Sequence, residues 1–384
     1  MRPDGRLANT LLSLLSRDWA GPALLLPLVA VGAGCLAAGA VAGRVWAVAL
    51  GGALLGIAVL LGAGAVRHLV GVARLKAAYP PPGRLVDVGG YRMHVLAEGG
   101  PAAGPAVVWM PGGHAPGHEF LHLHEALRAE TRSILVDRPG TGWSDVGPFP
   151  RTTAGEAREL AAALENAGER GPFVLVGHSF GGLLVANLAR RRPDLVAALV
   201  LLDPTPPDVI VYGPPNPVLA QSFRGHLWTA VRRLFGRCGE PGGGPGESEE
   251  PGGELLRAGM SRARFGCAAA SIFQELTPAG MAAAGWRTAV YDGDLGDLPL
   301  FLVTPSDLTG GEVVLDTAGD AGTAERMRRF FLSTRGRFMA ASADSRRVYT
   351  PPGTGHNFPH EAPEFVADVV RTVLRELAGR AARH

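Results

Sequence analysis

Between Trp19 and Val66 the chain carries a single charged residue, Arg44. That residue divides the stretch into two apolar segments, Trp19 to Ala42 and Val45 to Val66. Each meets the roughly 20 apolar residues that a helix needs to cross a hydrocarbon core. Gly43 beside Arg44 marks a very short connection, so the pattern predicts a hairpin of two spanning helices over 19–66. Trp19 and Trp46 stand near segment ends, where aromatic rings favour the membrane interface. Arg2, Arg6 and Arg17 precede the first segment, and Arg67, Arg74, Lys76 and Arg84 follow the second. The positive-inside bias therefore predicts both ends in the cytoplasm and the turn outside. The apolar stretch is too long, and doubled, for a cleaved signal peptide. It holds no acidic residue to couple ion transport, so an anchor is the expected role. Gly39/Gly43 and Gly52/Gly56 have a spacing that permits close helix approach. With 54 glycines in 384 residues, coincidence is the simpler reading.

The remainder reads as a different kind of chain. Residues 1–18 form a cytoplasmic N-terminal segment and 67–83 a linker, ending in the proline-rich Ala77 to Gly83, which cannot continue a helix. Gly89-Gly90 between Arg84 to Val88 and Tyr91 to Ala97 signals a hairpin. Apolar strands then alternate with amphipathic helices. Strands are expected at Val107 to Met110, Ile134 to Val136, Phe173 to Val176, Ala198 to Leu202, Leu300 to Val303 and Arg347 to Tyr349. Helices are expected near Glu119 to Arg128, from Thr153 with a Thr153/Glu156 capping box, from Leu183 to Arg191, and from Glu361 to Leu377. Such alternation implies parallel strands joined by crossover helices, with ligands bound beyond the carboxyl ends of the strands. Residues 84–203 and 298–384 therefore form one α/β core. Residues 204–297 break the alternation. They read as a helical lid interrupted by a low-complexity, disordered 239–253.

The chemistry-bearing motif is Gly177-His178-Ser179-Phe180-Gly181, extended by Gly182, set directly between an apolar strand and a helix. A serine on so sharp a turn needs side-chain-free neighbours, here Gly177 and Gly181, for its hydroxyl to stand clear of the sheet. A hydroxyl becomes a useful nucleophile only when a base takes its proton and a third group orients the base. His356, on the loop Gly353-Thr354-Gly355-His356-Asn357, is the expected base; His178, His114 and His360 are the alternatives, and His178 reads as structural. Two acids compete for the third position. Asp307 follows the strand Leu300 to Val303 and is preferred; Asp203 ends the strand before it and is the alternative. Oxyanion donors are expected from the backbone N–H of Phe180 and, in Met110-Pro111-Gly112-Gly113-His114, from Gly113, with His114 second, because Pro111 has no N–H.

The elbow 177–182, the segment Asp137-Arg138-Pro139-Gly140-Thr141-Gly142-Trp143-Ser144-Asp145 and Gly355-His356 resemble the α/β-hydrolase superfamily over about Gly83 to Leu377. The resemblance implies an eight-stranded, mostly parallel sheet with a helical lid and a Ser-His-Asp triad. It also implies a cofactor-free serine hydrolase. Relatives that cleave epoxides or haloalkanes use aspartate at the elbow, so Ser179 argues for ester or related acyl chemistry. Amide or iminopeptide hydrolysis and acyl transfer stay open, as does a non-catalytic receptor or membrane scaffold. Asp137 to Asp145 reads as a loop that buttresses the site. The expected partners are a lipophilic acyl substrate and membrane lipid. A net charge of +2 gives no case for nucleic acid, and three scattered cysteines give none for a disulfide framework or a zinc site.

Overall fold

A computed structural model describes residues 6–100, 104–113, 115–206, 217–236, 266–271, 293–305 and 336–383, with isolated positions 322, 325 and 329. Eight strands form one sheet: β1 (Arg84–Asp87), β2 (Arg92–Glu98), β3 (Val107–Met110), β4 (Ser133–Val136), β5 (Phe173–His178), β6 (Val196–Leu202), β7 (Leu300–Thr304) and β8 (Ser345–Tyr349). Their spatial order is β1-β2-β4-β3-β5-β6-β7-β8. The first two pairings are antiparallel and the other five parallel. Gly89 and Gly90 make the expected hairpin turn with φ of 114° and 93°, and the Asp87 carboxylate accepts hydrogen bonds from both of their N–H groups.

The inner parallel strands β3, β4, β5 and β7 are buried at every position because helices cover both faces, whereas the edge strand β8, with Ser345, Arg346 and Arg347, is partly exposed. Val108, Met110, Leu175, Leu199 and Leu302 point to one side, against α5 (Thr153–Asn166) and α6 (Phe180–Arg191). Trp109, Val174, Val176, Val200 and Phe301 point to the other, against α4 (Leu121–Leu127) and α9 (Pro363–Ala381), which follows the short α8 (Phe358–Glu361). The fully buried Trp109 indole donates to Ser133 Oγ at 2.8 Å, so its one polar atom is satisfied.

Two apolar helices stand before the sheet, α2 (Ala20–Val41) and α3 (Val45–Ala78), both long and apolar enough to cross a membrane. Gly43, at φ +61°, turns the chain between them. At Gly39 an added Cβ would meet Val48 N at 2.7 Å, and at Gly51 it would meet Gly32 O at 2.6 Å, so these glycines set the close approach. Gly52 and Gly56 face open space among the described residues.

Three local expectations change. The segment 67–83, expected as a linker, is helical as far as Ala78. Nothing between Val66 and Tyr79 breaks a helix, and only Pro80 to Pro82 stop it. The cap of α5 is Thr152, whose Oγ1 accepts from Gly155 N at 3.1 Å, and the Glu156 carboxylate is engaged elsewhere. The N-terminal segment contains α1 (Arg6–Leu15), which buries Leu12 and Leu15. These leucines pack with Phe223, Ala230 and Leu234 of α7 (Pro217–Leu234), inside the insertion. The end of α7 also seats on the hairpin: an added Cβ at Gly21 would lie 2.8 Å from Leu234 O, and at Gly64 2.3 Å from Phe235 O. The segment 239–253 lies outside the described residues, as does Cys238; Cys35 and Cys267 are free thiols.

Candidate active site

Strands β5 and β6 run parallel with His178 level with Leu202, so the next residues, Ser179 and Asp203, leave the sheet side by side. Both turn with positive φ, 50° at Ser179 and 39° at Asp203. For residues with a Cβ such backbone costs on the order of 1–3 kcal/mol and persists only where the surroundings enforce it. Here they do. Ser179 N donates to Leu202 O at 3.0 Å, Thr205 N to Ser179 O at 2.9 Å and Asp203 N to Val303 O at 2.8 Å. The elbow glycines are steric necessities. A Cβ at Gly181 would sit 2.3 Å from Met110 O, and one at Gly177 2.7 Å from Gly181 O.

His356 arrives from the far end of the chain, on the loop after β8. Its Nδ1 lies 2.8 Å from Asp203 Oδ2, with the carboxylate 10% and the imidazole 22% exposed. The N–H at Nδ1 donates to the carboxylate, which leaves Nε2 as the proton acceptor. The loop is held on several sides. Gly355 N donates to Glu361 Oε2 at 2.7 Å, and Thr354 Oγ1 donates to Pro351 O at 2.8 Å. His178 Nε2–H donates to the His356 carbonyl at 2.9 Å, with the two rings 4.7 Å apart. Burial pushes the His178 pKa down to about 3, so it is neutral at ordinary pH and acts as a support under His356. His360 has its Nε2 3.8 Å from Glu119 and its ring 5.0 Å from that of His122. Asp307 and His114 lie outside the described residues.

The loop after β3 lies against the elbow. An added Cβ at Gly112 would meet both Ser179 Cβ and His178 Nδ1 at 3.0 Å, and Gly113 turns the chain with φ +48°. Phe180 opens α6 and is buried. The N–H groups of Gly113 and Phe180 thus belong to two segments that meet at Ser179.

The segment Asp137 to Asp145 forms a buried knot beside this centre. Asp137 accepts from Gly117 N at 2.7 Å, Trp143 N at 3.0 Å and His94 Nδ1 at 3.1 Å. Burial alone would raise its pKa; the His94 hydrogen bond and neighbouring imidazoles bring it to about 2. His94, His118 and Asp137 have the donor atoms of a metal site. They do not fit one, because His94 Nε2 accepts from Gly83 N at 2.9 Å while Nδ1 serves Asp137, so both ring nitrogens are committed. Burial also pushes His118 down to about 4.

A second buried cluster joins Arg138, expected in the buttressing loop, and Glu156, expected as a helix cap, to Arg151 and Glu159, for which the sequence offered no expectation. The available signal was Glu156 and Glu159 on the same side of α5 as Ala157, Leu160 and Leu164, a face otherwise apolar and buried.

A family model described as the alpha/beta hydrolase family matches residues 107–369. The chain belongs to the alpha/beta hydrolase family. Lipase LipV of Mycobacterium tuberculosis is 58% identical over 55 residues, 14% of this chain and 21% of that protein. The putative carbamate hydrolase RutD of Klebsiella pneumoniae is 38% identical over 114 residues, 29% of this chain and 42% of that protein. This chain thus spans less than half the length of these curated relatives. Among solved structures, a probable hydrolytic enzyme from Pseudomonas aeruginosa superposes with a TM-score of 0.57 at 20% identity, covering 77% of this chain and 95% of that one. An epoxide hydrolase from Vigna radiata superposes with 0.52 at 19% identity, over 76% and 97%. At such identities these structures share the fold and nothing finer.

Proposed function

We propose that this family member is a membrane-anchored serine hydrolase that cleaves an ester through an acyl-enzyme, with Ser179 as nucleophile, His356 as base and Asp203 as the orienting acid. The observation that carries the reading is the 2.8 Å bond from His356 Nδ1 to Asp203 Oδ2, made one residue beyond the strand pair that also delivers Ser179. It fixes the tautomer that a general base at Nε2 needs.

In the reaction, Ser179 Oγ attacks the ester carbonyl carbon while its proton passes to His356 Nε2. The Asp203 carboxylate stabilises the resulting imidazolium. Charge that develops on the carbonyl oxygen is met by the N–H groups of Phe180 and Gly113, donors of a kind whose individual loss costs about 2.7–4 kcal/mol. Collapse of the tetrahedral species expels the alkoxide, which takes the proton from His356, and leaves the acyl group on Ser179. Water then attacks that acyl carbon, giving its proton to His356, and the carboxylic acid departs as Ser179 is reprotonated. No step calls for a cofactor or metal.

The helices Ala20–Val41 and Val45–Ala78 serve as the anchor in this reading. At 1.5 Å per residue α3 is about 50 Å long, against a hydrocarbon core of about 30 Å, so its last turns rise beyond the bilayer towards the catalytic domain. The basic flanks favour the cytoplasmic side for that domain. The insertion packs its helix α7 on the hairpin and on α1, which supports a lid seated at the membrane surface and a lipophilic acyl substrate. Full-length protein in bilayer nanodiscs, assayed on p-nitrophenyl esters of increasing acyl length, should turn them over and prefer longer chains. Absence of turnover across the series, with Ser179→Ala as the blank, sinks the hydrolase reading.

A further inference from the structure

A buried cation that takes no part in the catalytic steps, Arg138, is 3% exposed and set directly behind the β3 loop. Its Nη2 donates to Gly112 O at 3.3 Å and, more closely, to Gly113 O. Its guanidinium carbon stands 5.4 Å from the centre of the Phe180 ring. One side chain therefore touches both residues whose N–H groups form the oxyanion site.

The peptide geometry gives this contact a consequence. In a trans peptide the C=O and the following N–H point in opposite directions within one plane. Holding the Gly112 carbonyl on Arg138 and on Ala115 N, at 3.1 Å, fixes the direction in which the Gly113 N–H points on the other side of that plane. Gly112 and Gly113 carry no side chain to hold the plane themselves, and Gly113 sits at φ +48°. The guanidinium is in turn held by a buried chain of charges. Arg138 Nη1 faces Glu156 Oε2 at 3.7 Å, Arg151 Nε faces Glu156 Oε1 at 3.4 Å, and Arg151 donates to Glu159 Oε1 at 2.9 Å. The Tyr91 hydroxyl also donates to Glu159. Two arginines and two glutamates, each under a tenth exposed, balance one another in this chain, with a cation at the end nearest the elbow, and the partly exposed Glu119 adds a further carboxylate near Arg138. A packing role alone would be met by apolar groups at lower desolvation cost; a cation behind the place where negative charge develops has an electrostatic use.

We propose that Arg138 is a positioning residue of the oxyanion site: it sets the Gly112–Gly113 peptide plane and supplies fixed positive charge behind it, with Glu156 holding it in place. The proposal rests on the reading of Ser179 as nucleophile and of Gly113 and Phe180 as donors.

The test uses full-length protein and follows phosphonylation by a fluorophosphonate, recording both the rate constant and the fraction finally labelled, beside kcat and KM for a p-nitrophenyl ester. Arg138→Met removes the cation but leaves Glu156 buried with one partner fewer, which threatens folding. Arg138→Met with Glu156→Gln removes both charges and restores the balance. The double variant should label to the wild-type fraction with a rate constant lowered by about 10- to 100-fold, less than the 10²–10³ for losing a donor itself, and the folded part of Arg138→Met should label with the same lowered rate constant. Their kcat should fall by the same factor while KM stays within about threefold, as expected for an interaction made in the transition state. A merely structural role predicts the opposite pattern, a smaller labelled fraction with an unchanged rate constant, and that result overturns the proposal. So does a wild-type rate in the double variant. Failure of the wild-type protein to label, or undiminished labelling of Ser179→Ala, instead refutes the nucleophile assignment and takes the proposal with it.

Discussion

Replacing Asp203 by Asn isolates the electrostatic part of the proposed triad. Asn keeps the shape, and its amide oxygen can still accept from His356 Nδ1–H at about the observed 2.8 Å. What disappears is the negative charge beside the imidazolium that forms as Ser179 attacks. Asp203 is only 10% exposed on its side chain, so an effective dielectric constant of about 20 suits the pair. Two unit charges about 4 Å apart then attract by about 4 kcal/mol, which corresponds to about a thousandfold in rate at 1.36 kcal/mol per decade. The amide NH2 can also turn towards Nδ1 and select the wrong tautomer, a loss of about 10⁴ in comparable triads. The kcat for a p-nitrophenyl ester should therefore fall by about 10²–10⁴ with little change in KM, measured by initial rates against Ser179→Ala as background. Asp307→Asn is the matched control and should retain activity within about threefold. An active Asp203→Asn enzyme beside an inactive Asp307→Asn enzyme would refute the reasoning.

Acid should destabilise the protein well before its carboxylates titrate. His178 and His118 are held neutral in the folded state, at about 3 and about 4, against about 6.5 in an unfolded chain. The unfolded state thus binds more protons between those values, so stability is greatest above pH 6.5. It falls as pH drops through that window, by up to about 1.4 kcal/mol per unit for each histidine. Asp137, lowered to about 2, adds stability that is kept above about 3.8 and lost between 3.8 and 2. Urea unfolding at pH 7.5 and 5.5 in one detergent checks this; equal midpoints would contradict it. In the N-terminal helix, Leu12→Ala with Leu15→Ala should loosen α7, since each truncation of a buried leucine costs about 2–5 kcal/mol. Hydrogen exchange across Pro217–Leu234 should quicken, and unchanged protection there would remove the link between the N terminus and the insertion.

Steric demands were the most legible part of the chain. Gly177 and Gly181 announce the elbow because any Cβ there collides with backbone, and this needs no knowledge of distant partners. The apolar β5 and β6 and the uncharged segments around Arg44 likewise follow from local pattern. What sequence left open depends on which strands become neighbours. Asp203 and Asp307 each follow a strand and precede His356, and chain order does not separate them. The level pairing of His178 with Leu202 sets Asp203 beside Ser179, and that register is a property of the assembled sheet. The leucines of α1 had helical spacing, but their cover, Phe223 and Leu234, lies some two hundred residues away. Glu156 fitted a local cap so well that its burial against Arg138 and Arg151 went unread.

The most direct measurement is the site of covalent capture. After reaction of the full-length protein with a fluorophosphonate, tandem mass spectrometry of its peptides should find one adduct, on Ser179 Oγ, and none in Ser179→Ala. An adduct on another residue, or continued ester turnover by Ser179→Ala at the wild-type rate, would contradict the account.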